Sequence, residues 1–155
     1  MKAVLQRVSR ASVSVKGEVV GKIGRGLAVL VGVANGDTIE DVDYLVEKTL
    51  NMRIFTDADG KFNLSLVDTS GELLLVSQFT LLASTRKGRR PGFTDAAPPL
   101  LAEGLFNQFI ARAKQSGLKV ETGRFQQHME VEILNDGPVT IVIDSRERLA
   151  SRNNP

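Results

Sequence analysis

The hydrophobic pattern divides the chain into short alternating runs, two nearly continuous apolar runs and two stretches with helical spacing. Segments 4–8 and 13–15 are brief β-prone runs, and Lys16-Gly17-Glu18 reads as a turn before a third run at 19–23, so the chain opens as a meander. Segments 27–33 and 73–76 are apolar at almost every position. That suits strands covered on both faces, although a short buried helix would show the same run. Gly24 and Gly26 do not make a nucleotide loop, because that fingerprint needs a strand before the glycines and a helix after them, and here a strand follows.

Val42, Leu45, Val46, Thr49 and Leu50 recur at helical spacing with Glu40, Asp43, Glu47 and Lys48 on the other side, which predicts a helix over 38–51. Thr38 and Asp41 stand where a capping box would open it. Leu101, Leu105, Phe106, Phe109 and Ala113 predict the buried stripe of a second helix, begun at Pro98-Pro99 and ended near Gly117. Between the helices, 52–55 reads as a strand and Thr56-Asp57-Ala58-Asp59-Gly60 as a turn, with Phe62, Leu64 and Leu66 alternating on the return. Asp57, Asp59 and Gly60 share residues with a calcium loop, but the closing glutamate is missing and a plain acidic turn fits better. Segments 118–122 and 129–134 read as strands. Asn135-Asp136-Gly137-Pro138 breaks the latter, and 139–143 returns as another. The expectation is one α/β domain over residues 1–145, a mixed sheet covered by two main helices, with a polar surface tail over 146–155.

Composition narrows the chemistry. With 155 residues, 42% hydrophobic and 25% charged, the chain is long enough to bury its own core and has no apolar run of bilayer length. The first residues lack a long apolar segment and a small-residue cleavage site, so a cytoplasmic protein is expected. There is no cysteine and one histidine, His128. That removes disulfides, thiolate catalysis and cysteine metal sites, and leaves little for a histidine metal centre or a Ser-His-Asp triad. His128 is either a general base or a solvated residue in a polar connection.

Net charge is +2 and the isoelectric point near 9.1, a weak pointer to an anionic partner. The distribution says more. Arg86, Lys87, Arg89 and Arg90 fall within five residues, with no acid before Asp95, which would suit phosphates or a solvated surface loop. The segment 72–82, read as a central strand, turns abruptly from Leu73-Leu74-Leu75-Val76 to Ser77-Gln78-Phe79-Thr80. Buried amides and hydroxyls cost about 1–3 kcal/mol each unless hydrogen-bonded. Either a ligand meets them or the strand emerges into water. Ser77 and Thr80 have no evident base partner, so side-chain nucleophilic catalysis is poorly supported.

Ser77-Gln78-Phe79-Thr80-Leu81, together with Asn135-Asp136-Gly137-Pro138-Val139-Thr140 and the opening Met1-Lys2-Ala3-Val4-Leu5-Gln6-Arg7-Val8, closely resembles the D-aminoacyl-tRNA deacylases of the bacterial and eukaryotic type. The resemblance runs over essentially the whole chain. It implies a compact barrel-like α/β fold, a homodimer with active sites at the interface, aminoacyl-tRNA as partner, and no metal or organic cofactor. The implied reaction removes D-amino acids from tRNA, and glycine mischarged on tRNA for alanine, while sparing L-aminoacyl-tRNA. By resemblance, Ser77, Gln78, Phe79 and Thr80 line the pocket and the backbone donors of Phe79 and Thr80 face the developing oxyanion. Gly137-Pro138, cis in the family, enters the partner subunit's pocket as a chiral filter that rejects L side chains, and Arg7 supports it. The resemblance also implies that the terminal ribose 2′-hydroxyl of tRNA assists hydrolysis. Phe125 and Met129 are candidates for packing near the terminal adenosine, and Arg86, Lys87, Arg89 and Arg90 for the RNA backbone. The alternative is a non-catalytic RNA- or DNA-binding protein that uses the basic loop. A purely structural dimer module is a third reading, which Gln78 in an apolar strand argues against.

Overall fold

The computed structural model describes residues 1–150 and Arg152. In chain order it has strands β1 (Lys2–Val15), β2 (Glu18–Ile23) and β3 (Gly26–Gly32), helix α1 (Ile39–Asn51), strands β4 (Phe55–Thr56), β5 (Phe62–Leu64) and β6 (Glu72–Ser77), helix α2 (Pro99–Lys114), and strands β7 (Val120–Thr122) and β8 (Glu130–Asp144). Short 3-10 helices occupy Phe79–Leu82 and Ser145–Leu149.

β1 is the spine. β8 runs antiparallel along one of its edges from Lys2 to Ser14, while the other edge pairs with β3 over its first half and β2 over its second. β6 adds to β3 and β7 to β6, both in parallel. Opposite β8, the register passes from Val8↔Asn135 to Arg10↔Leu134, so Ser9 is a surplus residue. An extra residue reverses the side-chain alternation. Hence Ala3 and Leu5 enter one apolar cluster, Ala11 and Val13 the other, and the two runs expected at 4–8 and 13–15 are halves of one strand. Lys16 and Gly17 both have positive φ, as a two-residue hairpin turn requires.

The continuous apolar runs are two-sided. Leu27, Val29, Val31, Leu73 and Leu75 pack under α1 and α2, while Ala28, Leu74 and Val76 face the inside of the curled sheet with Val8, Val13 and Ile23. The curl brings β2 against β7. A Cβ on Gly21 would stand 2.9 Å from the Thr122 carbonyl, so glycine there permits the near closure of a barrel-like sheet.

α1 begins with the expected capping box, Thr38 and Asp41 bonding each other's backbone N–H. α2 buries Ala102, Phe106, Phe109 and Ala113, whereas Leu101 is 44% exposed. The spacing back from Phe106 and Phe109 by four and seven residues lands on Ala102, and the larger Leu101 lies off that stripe. β4 is only two residues long, so 52–54 is not strand. In the following turn, Asp57 Oδ1 accepts from the N–H groups of Asp59 and Lys61, as in a plain acidic turn. The residues at the junction with the segment expected as a surface tail are tied to the core. Ser145 is buried and donates to Asp41 Oδ1 at 2.7 Å, Met1 donates its α-ammonium to Ser145 Oγ at 2.9 Å, and Arg148 reaches Asp41 and Glu40. Of that segment, 151 and 153–155 lie outside the described residues. Among the described residues no helix is long and apolar enough to cross a membrane.

Candidate functional site

β6 stops sooner than its sequence pattern suggests. The strand ends at Ser77, Gln78 makes the last sheet bond by donating its N–H to Val31 O at 2.7 Å, and Phe79–Leu82 turns into a 3-10 helix. Two features hold that turn. Leu82 is buried, and Gly32 at the end of β3 leaves room for it, since a Cβ there would lie 2.5 Å from Leu82 Cδ2 and 2.9 Å from Gln78 O. Ser77 and Gln78 are half-buried, Phe79 and Thr80 exposed, so the polar residues emerge at the sheet end rather than sit sealed inside it. Gln78 Nε2 donates to Thr80 Oγ1. The first bond of the 3-10 turn runs from Leu81 N to Gln78 O, which leaves the Phe79 and Thr80 N–H groups ahead of it.

A cleft of about 710 Å³ opens beside this turn. Ser77, Gln78 and Phe79 form one wall, the segment Phe125, Gln126, Gln127, His128 and Met129 another, and Phe93 with Pro98, Pro99 and Ala102 at the start of α2 a third. Phe79 and Phe93 meet edge to face with ring centroids 5.0 Å apart. Gly123 leaves space for Met129, whose sulfur would stand 2.5 Å from a Cβ at that position. Among the described residues lining the cleft, His128 is the one titratable side chain, exposed at the rim, and no carboxylate, lysine or arginine is present. The surface is apolar and aromatic with a few amides and hydroxyls, suited to an uncharged planar group held by stacking and a few directed hydrogen bonds. Thus Ser77, Gln78, Phe79, Phe125 and Met129 come together, while Thr80 lies just outside the lining.

Gly137, Pro138 and Arg7 are elsewhere. The sequence reading of 129–134 and 139–143 as a strand and its return is overturned: both halves pair with β1 in the same direction, as one strand β8 from which a loop is extruded. Each half keeps the alternation of a strand, and only the intervening residues leave the ladder. The Gly137-Pro138 bond is cis. Arg7, continuing the inward row of Ala3 and Leu5, is 9% exposed. Its Nε donates to Asp136 O at 3.0 Å, its Nη1 to Ile54 O at 2.9 Å, and its guanidinium lies 5.5 Å over the Phe62 ring. The pair Gly137-Pro138 is exposed and does not line the cleft of its own chain; Arg7 and Asp136 border a separate cavity of about 350 Å³ with Arg25, Phe55 and Glu72.

The basic segment is closed at its base by mutual backbone bonds between Ser84 and Gly92, at 2.7 and 2.9 Å. Arg86, Lys87, Arg89 and Arg90 are exposed and, among the described residues, none is in an ion pair. Phe93 ties the loop to the cleft through Phe79. Phe93 and Gly32 escaped the sequence reading. A glycine ending an apolar strand, just where a second strand must turn, is the signal that could have found Gly32.

A family model described as D-Tyr-tRNA(Tyr) deacylase matches residues 4–144. The D-aminoacyl-tRNA deacylase of Dehalococcoides mccartyi (strain CBDB1) is 63% identical over 152 residues, 98% of this chain and 99% of that protein. A namesake from Clostridioides difficile (strain 630) is 55% identical over 145 residues, 94% of this chain and 97% of that one. Among solved structures, the c-Myc DNA Unwinding Element Binding Protein superposes with a TM-score of 0.88 at 44% identity, covering 93% of this chain and 98% of that one. A probable eukaryotic D-amino acid tRNA deacylase shares the fold, with a TM-score of 0.82 at 19% identity over 92% of this chain and 97% of that one.

Proposed function

The chain belongs to the D-Tyr-tRNA(Tyr) deacylase family, and from that premise we propose that the cleft between Ser77-Gln78-Phe79 and Phe125–Met129 holds the aminoacylated end of tRNA. The protein is an enzyme of chiral proofreading in translation: it hydrolyses the ester of D-aminoacyl-tRNA to a free D-amino acid and uncharged tRNA. One observation carries the site assignment. The cleft joins a stacking surface of Phe79, Phe93, Phe125 and Met129 to the start of a 3-10 turn, with no carboxylate, lysine or arginine among its described lining residues. A terminal adenine stacks on such a surface. The N–H groups of Phe79 and Thr80 then meet the oxyanion that forms as water adds to the ester, and the substrate's own 2′-hydroxyl assists that water. The same cleft accepts glycine carried on tRNA for alanine.

Gly137-Pro138 completes the site from a second copy in a homodimer. This accounts for a loop that Arg7 holds rigidly yet that does not reach the cleft of its own chain. Its backbone carbonyls meet the α-amino group and exclude an L side chain, and selection works by rejection. Arg86, Lys87, Arg89 and Arg90 follow the RNA backbone. A second reading, nucleic-acid binding without turnover, is favoured by that loop and by the 44% identical structure, named a DNA Unwinding Element Binding Protein.

Single-turnover hydrolysis of D- and L-tyrosyl-tRNA separates these readings. Release of D-tyrosine with L-tyrosyl-tRNA spared is expected, retained appreciably in Ser77→Ala, Thr80→Ala and His128→Asn and slowed strongly when the terminal 2′-hydroxyl is removed. A covalent acyl-enzyme on Ser77 or Thr80 would overturn the substrate-assisted route, and retention of tRNA without turnover would favour the binder.

A further inference from the structure

The β1–β8 ladder contains a second irregularity that a simple bulge does not explain. Gln6 pairs with Thr140 and Val8 with Asn135, so Arg7 alone faces four residues, 136–139. One unmatched residue opposite is a bulge, but three surplus residues make a loop whose orientation the ladder does not set. Arg7 grips its root from the inward face. Neighbouring residues of a strand point to opposite faces, so something else must fix the outward side.

Gln6 stands there. Its Oε1 accepts from Asn135 Nδ2 at 2.7 Å and from Thr140 Oγ1 at 2.6 Å. Asn135 Nδ2 also reaches Thr140 Oγ1 at 3.3 Å, and Asn135 Oδ1 accepts from Val139 N at 3.2 Å. Three side chains therefore close a ring across the neck of the loop, just below Gly137-Pro138, and a fourth bond ties the ring to the loop's returning backbone. We propose that Gln6 is a positioning residue for chiral selection, which acts by holding the Gly137-Pro138 loop through Asn135 and Thr140 without touching substrate; this rests on the reading of that loop as the filter.

The chemistry of the clamp is specific. Both partners donate to one oxygen, so any side chain of this length with a terminal acceptor serves and one without it does not. Thr140 is exposed and Asn135 and Gln6 only half-buried, so water satisfies the groups when the clamp is opened. Stability then changes little, while the loop loses its orientation. A misplacement of about 1 Å at a positioning element can cost on the order of a hundredfold in rate.

Gln6→Met, Gln6→Glu and Thr140→Val in the full chain test this, read by thermal unfolding and by single-turnover rates on D- and L-tyrosyl-tRNA. Gln6→Met and Thr140→Val are expected to unfold near the wild-type temperature, to lose about ten- to a hundredfold in D rate, and to narrow the D-over-L ratio without raising the enzyme concentration that half-saturates the reaction. Gln6→Glu is expected to restore rate and ratio. Wild-type rate and ratio in Gln6→Met, or a Gln6→Glu enzyme as impaired as Gln6→Met, overturns the proposal. Gly137→Ala serves as the control on the underlying reading, because its Cβ would crowd Val139 and Arg7 within the loop. If it alters the ratio while Gln6→Met does not, the filter stands and Gln6 is excluded; if a folded Gly137→Ala leaves the ratio unchanged, the filter reading falls and the proposal with it.

Discussion

Arg7 donates from Nε to the carbonyl of Asp136, 129 residues further along the chain, at 3.0 Å. The same guanidinium spends Nη1 on the carbonyl of Ile54, at the entry to β4, so one planar fork joins the spine, the small hairpin and the extruded loop. A lysine offers a point charge on a flexible stem and cannot serve both directions. Arg7→Lys is therefore expected to lose one of the two bonds, at about 1.5–3 kcal/mol for a hydrogen bond to a charged group. That lowers the melting temperature by several degrees in a chain of this size, and the D-substrate rate should fall by at least tenfold. Calorimetry with single-turnover kinetics checks both, and an unchanged rate in folded Arg7→Lys would separate the loop's anchor from catalysis.

Gly32 makes a different demand. Its missing Cβ is the space into which Leu82 and the Gln78 carbonyl fit. Gly32→Ala is expected to destabilise by about 1–3 kcal/mol through overpacking, and to reduce activity further than a stability loss of that size would, because the displaced turn carries Phe79. Comparison with a core variant of equal melting temperature, such as Val46→Ala, tests the excess.

Neutralising Arg86, Lys87, Arg89 and Arg90 together should weaken tRNA binding and flatten the slope of log binding constant against log salt by up to about 3.5, at roughly 0.7–0.9 per phosphate contact. The D-over-L ratio should stay constant. Filter binding at several salt concentrations reads the slope, and an unaltered slope would return the loop to an ordinary solvated surface.

Burial pushes the Asp41 carboxyl up, but the Thr38 N–H, the Ser145 hydroxyl and the Arg148 guanidinium outweigh it and hold it below the usual carboxylate value. A depressed carboxyl stabilises the fold when ionised, so its contribution is complete above the unfolded value of about 3.9 and disappears as the pH falls through that value to the lower folded one. Melting temperatures recorded from pH 7 to 3 should fall from about pH 5 downward, and more steeply in the wild type than in Asp41→Asn. A parallel decline in the two would assign acid sensitivity elsewhere.

Much of this architecture could be read without coordinates because local and global preferences agree. Leu73 to Val76 is apolar at each position because two cores flank it, and Thr38 with Asp41 caps a helix as their spacing says. The failures share a physical cause, in that a ladder tolerates residues which interrupt a pattern. Ser9 and Arg10 split the apolar pattern of a strand that continues through a bulge, and Asp136 to Val139 look like a turn although both flanks keep one direction. The 3-10 turn at Phe79 was hidden because Phe-Thr-Leu-Leu suits a strand equally well, and what bends it is the space at Gly32, 47 residues before. Candidate residues near the cleft were found together through Ser77-Gln78-Phe79, whereas Gly137-Pro138 carries no signal of the distance separating it from them in one chain.

The pairing of β1 with β8 also sets the order in which this chain becomes safe from its neighbours. Lys2 opposes Asp144 and Ser14 opposes Glu130, so β1 waits for β8, made more than a hundred residues later, before one whole edge is occupied. Until then a 14-residue strand presents open backbone donors and acceptors, the kind of edge that templates association between nascent chains. Contacts this distant in sequence also close slowly. A chain cut short before β8 would keep that edge of its spine unpaired and would also lack the apolar side chains, Val131, Ile133, Val139, Ile141 and Ile143, that β8 adds to both clusters.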